Sequence, residues 1–485
     1  MQGAGSRLGR KWCTLLLALP LVFYLALPTR NFYWDGVAFA IDIEKHLSAA
    51  SLVGPSHLAY ALWGAWLYRL SETVGIHPRA LFVMQAANCV LAGLCVILLH
   101  VCLRLRNVPV TAGVPAALVF GFSATWWRFA ADANAYVPAI FFLLVSYVLM
   151  EHRRSAFLAG LALAVAILFH ELAVLFLPVA LVRSRKSGRS TSAYAVAALV
   201  PAVAAYLVAY HSLPSQSPRV SLFAWVTSHS PDSGFSFNPF TDAGFSVRGT
   251  FRLLFGGRLS DFVSDGISRL ALAALVIAAA FCLVSLWRVA RMGVRTSPAP
   301  LDLFVWVGVY AAFLFFWMPQ NTFYRLFYLP PLIAIPATML RRAPAAHFVA
   351  WLFVPVLLLW NFAFVVYPQS RPEFSVPLRF ALDQRNTWPP GTPILFHRLH
   401  PDLWTISYFN SQAAWIALEQ PGLGPVEKSL QYARTVNQPL WFEQTAYDLL
   451  RDNPDGRQWL AVHERPDELL EFKDQKHEFR FHCIR

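Results

Sequence analysis

Two carboxylates just after the first apolar run are well placed for acid–base chemistry. The run ends near Pro28, and Asp35 and Asp42 follow it in an aromatic-rich stretch. Residues seven apart lie about two helical turns apart, so both carboxylates could share one helix face. An acid among aromatic side chains at a membrane surface can have a raised pKa and reach an interfacial substrate. We predict that Asp35 is a general base. The alternatives are that Asp35 caps a helix and that Asp42 lies on a solvated face.

A second acid, Asp132, lies in a short connection between two apolar runs. It follows Trp126-Trp127-Arg128 and precedes Tyr136. Because the connection is short, we expect Asp132 to lie close to the membrane surface, where it could support the same chemistry. The alternative is that Asp132 caps the next helix.

Two histidines are also candidates. His57 begins an apolar stretch that fits a helix lying on the membrane, and a structural role at the helix start is the alternative. His170-Glu171 interrupts an apolar run from Ala156 to Val182. Ionisable residues at membrane depth are costly and are usually functional, so both side chains are candidates for substrate binding.

A candidate phosphate-binding residue is Arg325. With Tyr324 it stands at the start of an apolar run, just before Pro330-Pro331. A guanidinium can bind a phosphate with two parallel hydrogen bonds. The alternative is that Arg325 only anchors the helix at the interface.

The elements that must position these residues are membrane helices. The 485-residue chain is 57% hydrophobic and only 14% charged, against about 25% charged in a typical soluble domain. Apolar runs near the ~17–25 residues of a membrane span recur up to about Tyr367 and then stop. We predict a mainly α-helical transmembrane module over residues 1–367, with outer loops 29–79 and 212–269, and a small α/β domain over 368–485.

The charges predict the topology. Before Pro368 there are 27 basic and 12 acidic residues, and the basic ones cluster in short loops. Such loops face the cytoplasm. One topology of about eleven crossings satisfies them, with all the acids except Glu151 and Asp302 on the outer side. It places the N-terminus in the cytoplasm and the C-terminal domain outside the plasma (inner) membrane. We interpret the first run as an uncleaved anchor, with a signal peptide as the alternative.

One loop pattern also predicts a hairpin. Arg153-Arg154 precedes the run interrupted at His170, and Arg183 begins the basic cluster that follows it. Two short helices that meet at His170-Glu171 on the outer side would keep both clusters in the cytoplasm.

The C-terminal 118 residues carry a different pattern, with turn signals between short segments. We predict strands at 393–396 and 459–462 and helices at 405–417 and 444–451. The six cysteines form no C-x-x-C motif, so no disulfide or zinc framework is predicted. The basic residues form no nucleic-acid-binding module, which excludes a nucleic-acid partner.

With these residues in place, the chain resembles the membrane-embedded glycosyltransferases of the GT-C fold, near the protein-mannosyltransferase-like and bacterial members. The resemblance rests on short motifs along most of the membrane portion. These are Asp35-Gly36, Pro55-Ser56-His57-Leu58, Trp127-Arg128 with Asp132 and Tyr136, His170, and Tyr324-Arg325 before Pro330-Pro331.

The resemblance implies transfer of a sugar, with inversion, from a polyprenyl-phosphate-linked donor to a glycan, lipid or protein acceptor on the extracytoplasmic face. The family's catalytic carboxylate falls on Asp35, its second loop acid on Asp132, and its phosphate-binding arginine on Arg325. The remaining candidates for substrate binding are His57, Arg128, His170, Glu171 and Tyr324.

The chain departs from the family at its second acid. Asp132 is followed by Ala133, where many relatives have Glu immediately before an aromatic residue. Related branches also differ in their use of metal, and this sequence has no evident ligand cluster. No metal ligand is therefore assigned, and a divalent metal cofactor stays an open alternative.

Two other functions are compatible with a polytopic protein. Transporters place their sites at the bilayer midplane between repeated halves, whereas the acids here crowd the outer side and no repeat is evident. A polysaccharide polymerase or ligase is the second alternative. The outer acids and the separate C-terminal domain favour a glycosyltransferase.

Overall fold

The structure is a computed structural model of the chain. It describes residues 2–45, 47–152, 155–187, 190–212, 221–227, 235, 237–257, 266–293, 299–398, 400–420, 422–465, 468–473 and 477–484. The prediction for Arg153-Arg154 and much of the predicted outer loop 212–269 lie outside these residues. The chain divides into two compact units, one of residues 1–29 and 42–370 and one of residues 30–41 and 371–485.

The first unit is helical, and α2 begins in the second unit and ends in the first. The helices are α1 (Gln2–Ala26), α2 (Trp34–Glu44), α3 (Tyr60–Thr73), α4 (Ala80–Leu105), α5 (Val110–Phe122), α6 (Ala124–Ala130), α7 (Tyr136–Glu151), α8 (Ala156–Phe169), α9 (Leu177–Ser187), α10 (Thr191–Ser212), α11 (Leu222–Val226), α12 (Pro239–Leu254), α13 (Gly266–Gly293), α14 (Leu301–Phe316), α15 (Leu329–Met339), α16 (Pro344–Asn361) and α17 (Tyr367–Gln369). Three 3-10 turns, Pro55–His57, Glu171–Phe176 and Phe323–Tyr328, and a π-helical turn, Phe362–Val366, lie between them.

Four described helices are long and apolar enough to cross a membrane. They are Ala80–Leu105, Thr191–Ser212, Leu272–Val289 and Pro344–Gln369, and the bent pair α5 and α6 could form a fifth span. Several shorter apolar helices accompany them, including α7, α8 and α14. The chain is therefore a mainly helical membrane protein, and the count of about eleven crossings stays a prediction.

Small residues allow close helix packing in this unit. A Cβ added to Gly160 of α8 would collide with the backbone oxygen of Tyr194 in α10. Ser146 of α7 donates to the backbone oxygen of Ala159 at 2.8 Å and bonds the Tyr194 hydroxyl at 2.9 Å. Small and hydroxyl-bearing residues are the usual contacts between membrane helices. They hold α7, α8 and α10 together.

Two breaks in the helices place candidate residues. At Ser123 the backbone is extended, and α6 is bent by 66° from α5. At His170 the backbone is also extended, so α8 ends at Phe169 and a 3-10 turn follows. The predicted break at His170-Glu171 is therefore present.

The second unit contains a five-stranded sheet. Its strands are β1 (Pro393–Phe396), β2 (Ala414–Ala417), β3 (Leu440–Glu443), β4 (Leu470–Lys473) and β5 (Glu478–Ile484), in the order β2-β1-β3-β5-β4. β1 is parallel to β2 and β3, whereas β5 is antiparallel to β3 and β4. The helices are the 3-10 turn Pro372–Phe374, α18 (Val376–Asp383), α19 (Pro401–Phe409), α20 (Leu423–Thr435), α21 (Gln444–Arg451) and α22 (Pro454–His463).

Two apolar clusters hold this sheet to its helices. Leu395 and Phe442 pack with Leu430 of α20 and Leu450 of α21, whereas Trp441 packs in a separate cluster with residues of α18 and α19. Apolar layers on both faces of a sheet are typical of α/β architecture.

Two predicted elements of this unit are wrong. Residues 459–462 form the end of α22 rather than a strand, and the predicted helix 405–417 ends at Phe409 and is followed by β2. A short apolar run cannot distinguish a strand from a buried helix segment. Here Trp459 and Leu460 are buried against the sheet as part of a helix. The predicted strand at 393–396 and helix at 444–451 are confirmed.

Candidate active site

The loop between α6 and α7 holds Asp132. The residue is 1% exposed, and its Oδ1 accepts a hydrogen bond from the Ala133 backbone N–H at 2.8 Å. The Oδ1 of Asn134 accepts from the first two N–H groups of α7 at 3.1 and 3.2 Å. Helix capping is thus performed by Asn134 rather than by Asp132.

Two buried amide side chains of α4 hold the Asp132 loop through hydrogen bonds. Gln85 donates to the backbone oxygens of Thr29 and Ala131 at 3.0 and 2.8 Å. The Asn88 side chain donates to the backbone oxygens of Asp132 and of Asn134, both at 2.8 Å. Buried backbone oxygens need such donors, because leaving them unsatisfied costs free energy. The position of Asp132 is therefore set by α4.

A cluster of four rings, His57, Tyr136, His170 and Tyr324, lies next to this loop. The His57 and His170 ring centroids are 4.7 Å apart, and the Tyr136 and His170 centroids are 4.8 Å apart. Tyr324 lies 5.8 Å from both Tyr136 and His170. Phe129, at the other side of Tyr136, links the cluster to α6 at 5.5 Å. The structure thus brings together three candidates that are far apart in sequence.

His57 and His170 are held by backbone contacts. A ring nitrogen of His57 lies 3.4 Å from the backbone oxygen of Phe169, and Nδ1 of His170 accepts the Leu172 N–H at 3.2 Å. The N–H donor of neutral His170 therefore lies on Nε2. His57 belongs to a short 3-10 turn before α3, as expected of a residue that begins a helix.

Glu171, the residue after His170, is part of an apolar cleft. It lines an apolar cleft of about 300 Å³ between α10, α11 and the turn that contains Glu171 itself, together with Tyr206 and Leu207. The Tyr206 hydroxyl donates to the backbone oxygen of Pro55 at 2.8 Å. Adjacent residues His170 and Glu171 thus contribute to different sites.

Arg325 is buried rather than displayed at a helix entrance. It is 1% exposed, and its guanidinium donates to the Tyr328 hydroxyl at 3.0 Å and to the backbone oxygen of Pro319 at 2.6 Å. The guanidinium lies against Gly249 of α12, where an added Cβ would collide with it. Arg325 makes no ion pair among the residues that the structure describes. A buried charge with only neutral partners is costly, and an anion bound beside it would lower that cost.

Arg128 is half-buried in α6. Its guanidinium carbon lies 5.8 Å from the centroid of the Phe129 ring, which is within the range of a cation–π contact. Phe129 also contacts Tyr136 of the ring cluster, so Arg128 contacts the cluster indirectly, through Phe129.

Asp35 lies in the first turn of α2, in the part of that helix that belongs to the second unit. It is half-buried, and the chain just before it is fixed by stacking of Phe32 on Phe409 at 5.5 Å. Asp42 lies two turns later and is also half-buried. Burial raises the pKa of the Asp42 carboxyl, and nearby Lys45 partly offsets this.

Within the described ranges, no group of three or more His, Cys, Asp or Glu side chains is arranged to hold a metal ion. The rings and the Asp132 loop can instead donate and accept hydrogen bonds around a polar ligand.

The sequence interpretation missed Gln85, Asn88 and Asn134. A signal was available, since Gln85 and Asn88 are three residues apart in an otherwise apolar run and so share one helix face. Polar side chains on a membrane helix face its protein interior.

The architecture defines a class of protein. The chain, with its mainly helical membrane unit and its separate α/β unit, has the GT-C fold. In particular, the chain is similar to the crystal structure of ArnT from Cupriavidus metallidurans bound to undecaprenyl phosphate. The TM-score is 0.56 at 12% sequence identity, and the match covers 98% of each chain.

Two further likenesses have TM-scores below 0.5. One is the Archaeoglobus fulgidus oligosaccharyltransferase tethered with an acceptor peptide, with a TM-score of 0.48 and 11% identity over 96% of this chain and 74% of that one. The other is the Saccharomyces cerevisiae Pmt1-Pmt2 complex bound to the sugar donor, with a TM-score of 0.33 and 16% identity over 41% and 33%. No protein-family profile matches the chain, and the comparison with curated proteins finds no match.

Proposed function

We propose that this protein is a membrane glycosyltransferase that moves a sugar from a polyprenyl-phosphate-linked donor to an acceptor on the extracytoplasmic face. The observation that carries the proposal is the buried Arg325, which has only neutral partners among the described residues, within a GT-C fold. The similar ArnT structure is bound to undecaprenyl phosphate. The polyprenyl-phosphate donor is assigned by analogy between folds, so the residues of the site must be tested directly.

Arg325 would bind the donor phosphate. The partners of Arg325, Tyr328 and Pro319, are neutral, and the phosphate would provide the missing negative charge. Charge-assisted hydrogen bonds to phosphate are strong. In the same step the positive charge would stabilise the phosphate as it leaves, because negative charge on its oxygen grows in the transition state.

Asp35 would act as the general base. Its carboxylate would take the proton of the acceptor hydroxyl while that oxygen forms a bond to the anomeric carbon. The bond from the anomeric carbon to the phosphate oxygen breaks at the same time, and polyprenyl phosphate leaves with the electron pair. Attack opposite to the leaving group inverts the anomeric configuration. Asp132 would support this step as the second acid.

The ring cluster and its neighbours would hold the sugar. Imidazole and phenol groups combine an apolar ring with hydrogen-bonding atoms, which suits a ligand that has apolar faces and hydroxyl edges. We assign this role to His57, His170 and Tyr324, with Arg128 beside them. Glu171, which lines a separate apolar cleft, would contact the lipid part of a substrate.

The test compares two carboxylates of one helix. Asp35→Asn in purified, folded protein should lower the rate of sugar transfer by about 10²–10⁴-fold, the range for loss of a general base. Asp42→Asn is the matched control and should retain transfer within severalfold. The assay supplies a lipid-linked, radiolabelled sugar and a cell-envelope acceptor extract, and measures labelled product and released polyprenyl phosphate. Normal transfer by Asp35→Asn would remove Asp35 as the base.

The stereochemistry and the sidedness need separate measurements. Inversion is checked by NMR of the anomeric proton in the product, and retention would contradict a single displacement by the acceptor. Labelling of a cysteine placed at Asp35 from outside intact cells checks that this face is extracytoplasmic in the plasma membrane.

A further inference from the structure

A second apolar cleft lies in the first unit, among α5, α13, α15 and α16. Its volume is about 300 Å³, far more than the ~10–15 Å³ that one water molecule needs. Apolar cavities stay dry, so water is a poor occupant. Residues from all four helices line the cleft, among them Ala116, Leu283, Trp287, Ile333, Leu340 and Phe353.

The cleft opens along α13. Trp287 and Leu283 both line it, and they are 54% and 41% exposed. In a membrane protein such apolar surface meets hydrocarbon rather than water. A lipid chain can therefore enter the cleft from the side.

One end of the cleft is basic. The Arg291 guanidinium lies 3.8 Å from the centroid of the Trp287 ring, and the neighbouring Arg288 is exposed. Across the cleft, Leu340 of the lining is followed by Arg341 and Arg342. Arg291, which packs on the lining residue Trp287, thus lies beside the apolar opening, and Arg288 lies one turn before it on α13.

Arg288 and Arg291 are not neutralised by acids among the described residues. Glu151 and Asp302 are the two acids predicted on the cytoplasmic side of the membrane. Arg106 binds both of them, and Arg183 also binds Glu151. Arg288 and Arg291 make no ion pair among the described residues. The end of the cleft therefore carries positive charge that a ligand can neutralise.

The turn that closes this end is well fixed. Val289, Leu340 and Ala346 pack together, and His347 bonds the backbone oxygen of Leu340 at 3.2 Å and the Thr111 hydroxyl at 3.1 Å. α13 is thereby tied to the turn between α15 and α16. The apolar wall at this end of the cleft is therefore formed without a ligand.

We propose that this cleft binds one acyl chain of an anionic glycerophospholipid, whose phosphate lies against Arg288 and Arg291. Basic pockets between membrane helices bind anionic lipid headgroups. Neither the Asp132 loop nor the ring cluster contributes to this site, so the proposal does not depend on the transferase activity.

Native mass spectrometry of the full-length protein tests the headgroup. The protein is mixed in detergent with equal amounts of phosphatidylglycerol and phosphatidylcholine that have the same chains. We expect phosphatidylglycerol to be retained preferentially. The double variant R288Q/R291Q should lose about fivefold in retention for each arginine, which corresponds to ~1 kcal/mol each. The matched control R385Q/R434Q removes two exposed arginines from the second unit and should change nothing.

A fluorescence measurement tests the chain position. Phosphatidylglycerol with brominated chains should quench the emission of wild-type protein more than that of Trp287→Phe. Ala350→Trp, which fills the cleft, should abolish retention of the lipid while the arginines stay in place. If that variant does not fold, the quenching comparison decides alone.

Three results would overturn the proposal. Equal retention of both lipids would remove the role of charge, and equal quenching in wild type and Trp287→Phe would place the chain elsewhere. Displacement of phosphatidylglycerol by an equal concentration of polyprenyl phosphate would assign the cleft to the carrier lipid instead.

Discussion

Two polar clusters of the first unit lie at opposite ends of α4 and α7 and are built from different groups. At the start of these helices, neutral amides hold the Asp132 loop: Gln85 and Asn88 bond backbone oxygens, and Asn134 caps α7. At their ends, Arg106 lies 3.0 Å from Glu151 and also pairs with Asp302.

In the second cluster, at the ends of α4 and α7, the charges neutralise one another. Arg183 lies 2.6 Å from Glu151, and the Tyr147 hydroxyl donates to Asp302 at 2.7 Å. Two acids and two arginines are thus matched, which satisfies each charge without a ligand. The first cluster uses neutral donors, and Arg325 beside it has no ion pair among the described residues. The comparison teaches that a self-neutralised cluster stabilises the fold, whereas an unneutralised buried charge can bind a ligand.

Glu151→Gln should have the largest effect on stability. It leaves Arg183 without its charged partner and Arg106 with Asp302 alone, and breaking a buried ion pair costs about 3–5 kcal/mol. Thermal unfolding in detergent measures this as a marked fall in Tm. Glu44→Gln is the control, because the Glu44 pair with Arg79 at 2.9 Å is partly exposed and such pairs contribute about 1 kcal/mol or less. Equal falls in Tm would contradict a structural role specific to the closed cluster.

Asn88→Leu should lower both the rate of transfer and the stability of the protein. The variant removes the donor to the backbone oxygens of Asp132 and Asn134, and a shift of about 1 Å in a catalytic loop can cost about 10²-fold in rate. We expect a 10–100-fold fall in kcat with a stability loss of about 1–3 kcal/mol. These are measured by transfer kinetics and by unfolding.

Asn361→Leu is the matched control for Asn88. Asn361 is also fully buried and donates to the backbone oxygens of Phe122 and Leu254 at 2.8 and 2.7 Å. Its loss should cost similar stability and leave kcat of the folded enzyme unchanged. A fall in kcat of the same size in both variants would show that general loosening, and not the Asp132 loop, is responsible.

Arg325→Gln should weaken binding of undecaprenyl phosphate roughly tenfold, since a hydrogen bond to a charged group is worth about 1.5–3 kcal/mol. Arg325→Lys retains the charge and should recover part of the affinity. Gly249→Ala, which displaces the guanidinium without removing it, should weaken binding by an intermediate amount. Binding is measured by tryptophan fluorescence titration. Undiminished affinity in Arg325→Gln would make this arginine structural, like Arg106.

The smallest effect concerns pH in the second unit. Burial lowers the pKa of His482 from its usual value, and the Glu464 carboxylate partly offsets this. Below about pH 6.5 the unfolded chain binds a proton that folded His482 resists, so stability falls as pH drops below that value. Hydrogen exchange of β5 amides at pH 7.5 and pH 5.5 in the full chain measures it. His482→Gln should reduce the difference, and an unchanged difference would assign the effect to other groups.

Several features could be predicted from the sequence. The break at His170 followed from basic clusters on both sides of an interrupted apolar run, and it is present. The GT-C fold followed from short motifs, and the likeness to ArnT over 98% of the chain supports it. The prediction of a strand at 459–462 was wrong, because a local apolar pattern does not specify whether a short buried segment is helical.

The sequence alone determined that the chain is a membrane protein with a separate C-terminal part, because apolar length and charge distribution are local properties. The charge pattern also identified Glu151 and Asp302 as the two acids on the cytoplasmic side, which carries the basic loops. The tertiary structure decided which charges neutralise one another, since Arg106 and Asp302 are 196 residues apart. It also decided that α4 positions Asp132. In membrane helices both the lipid-facing and the protein-facing sides are apolar, so hydrophobic periodicity carries little information about which faces meet.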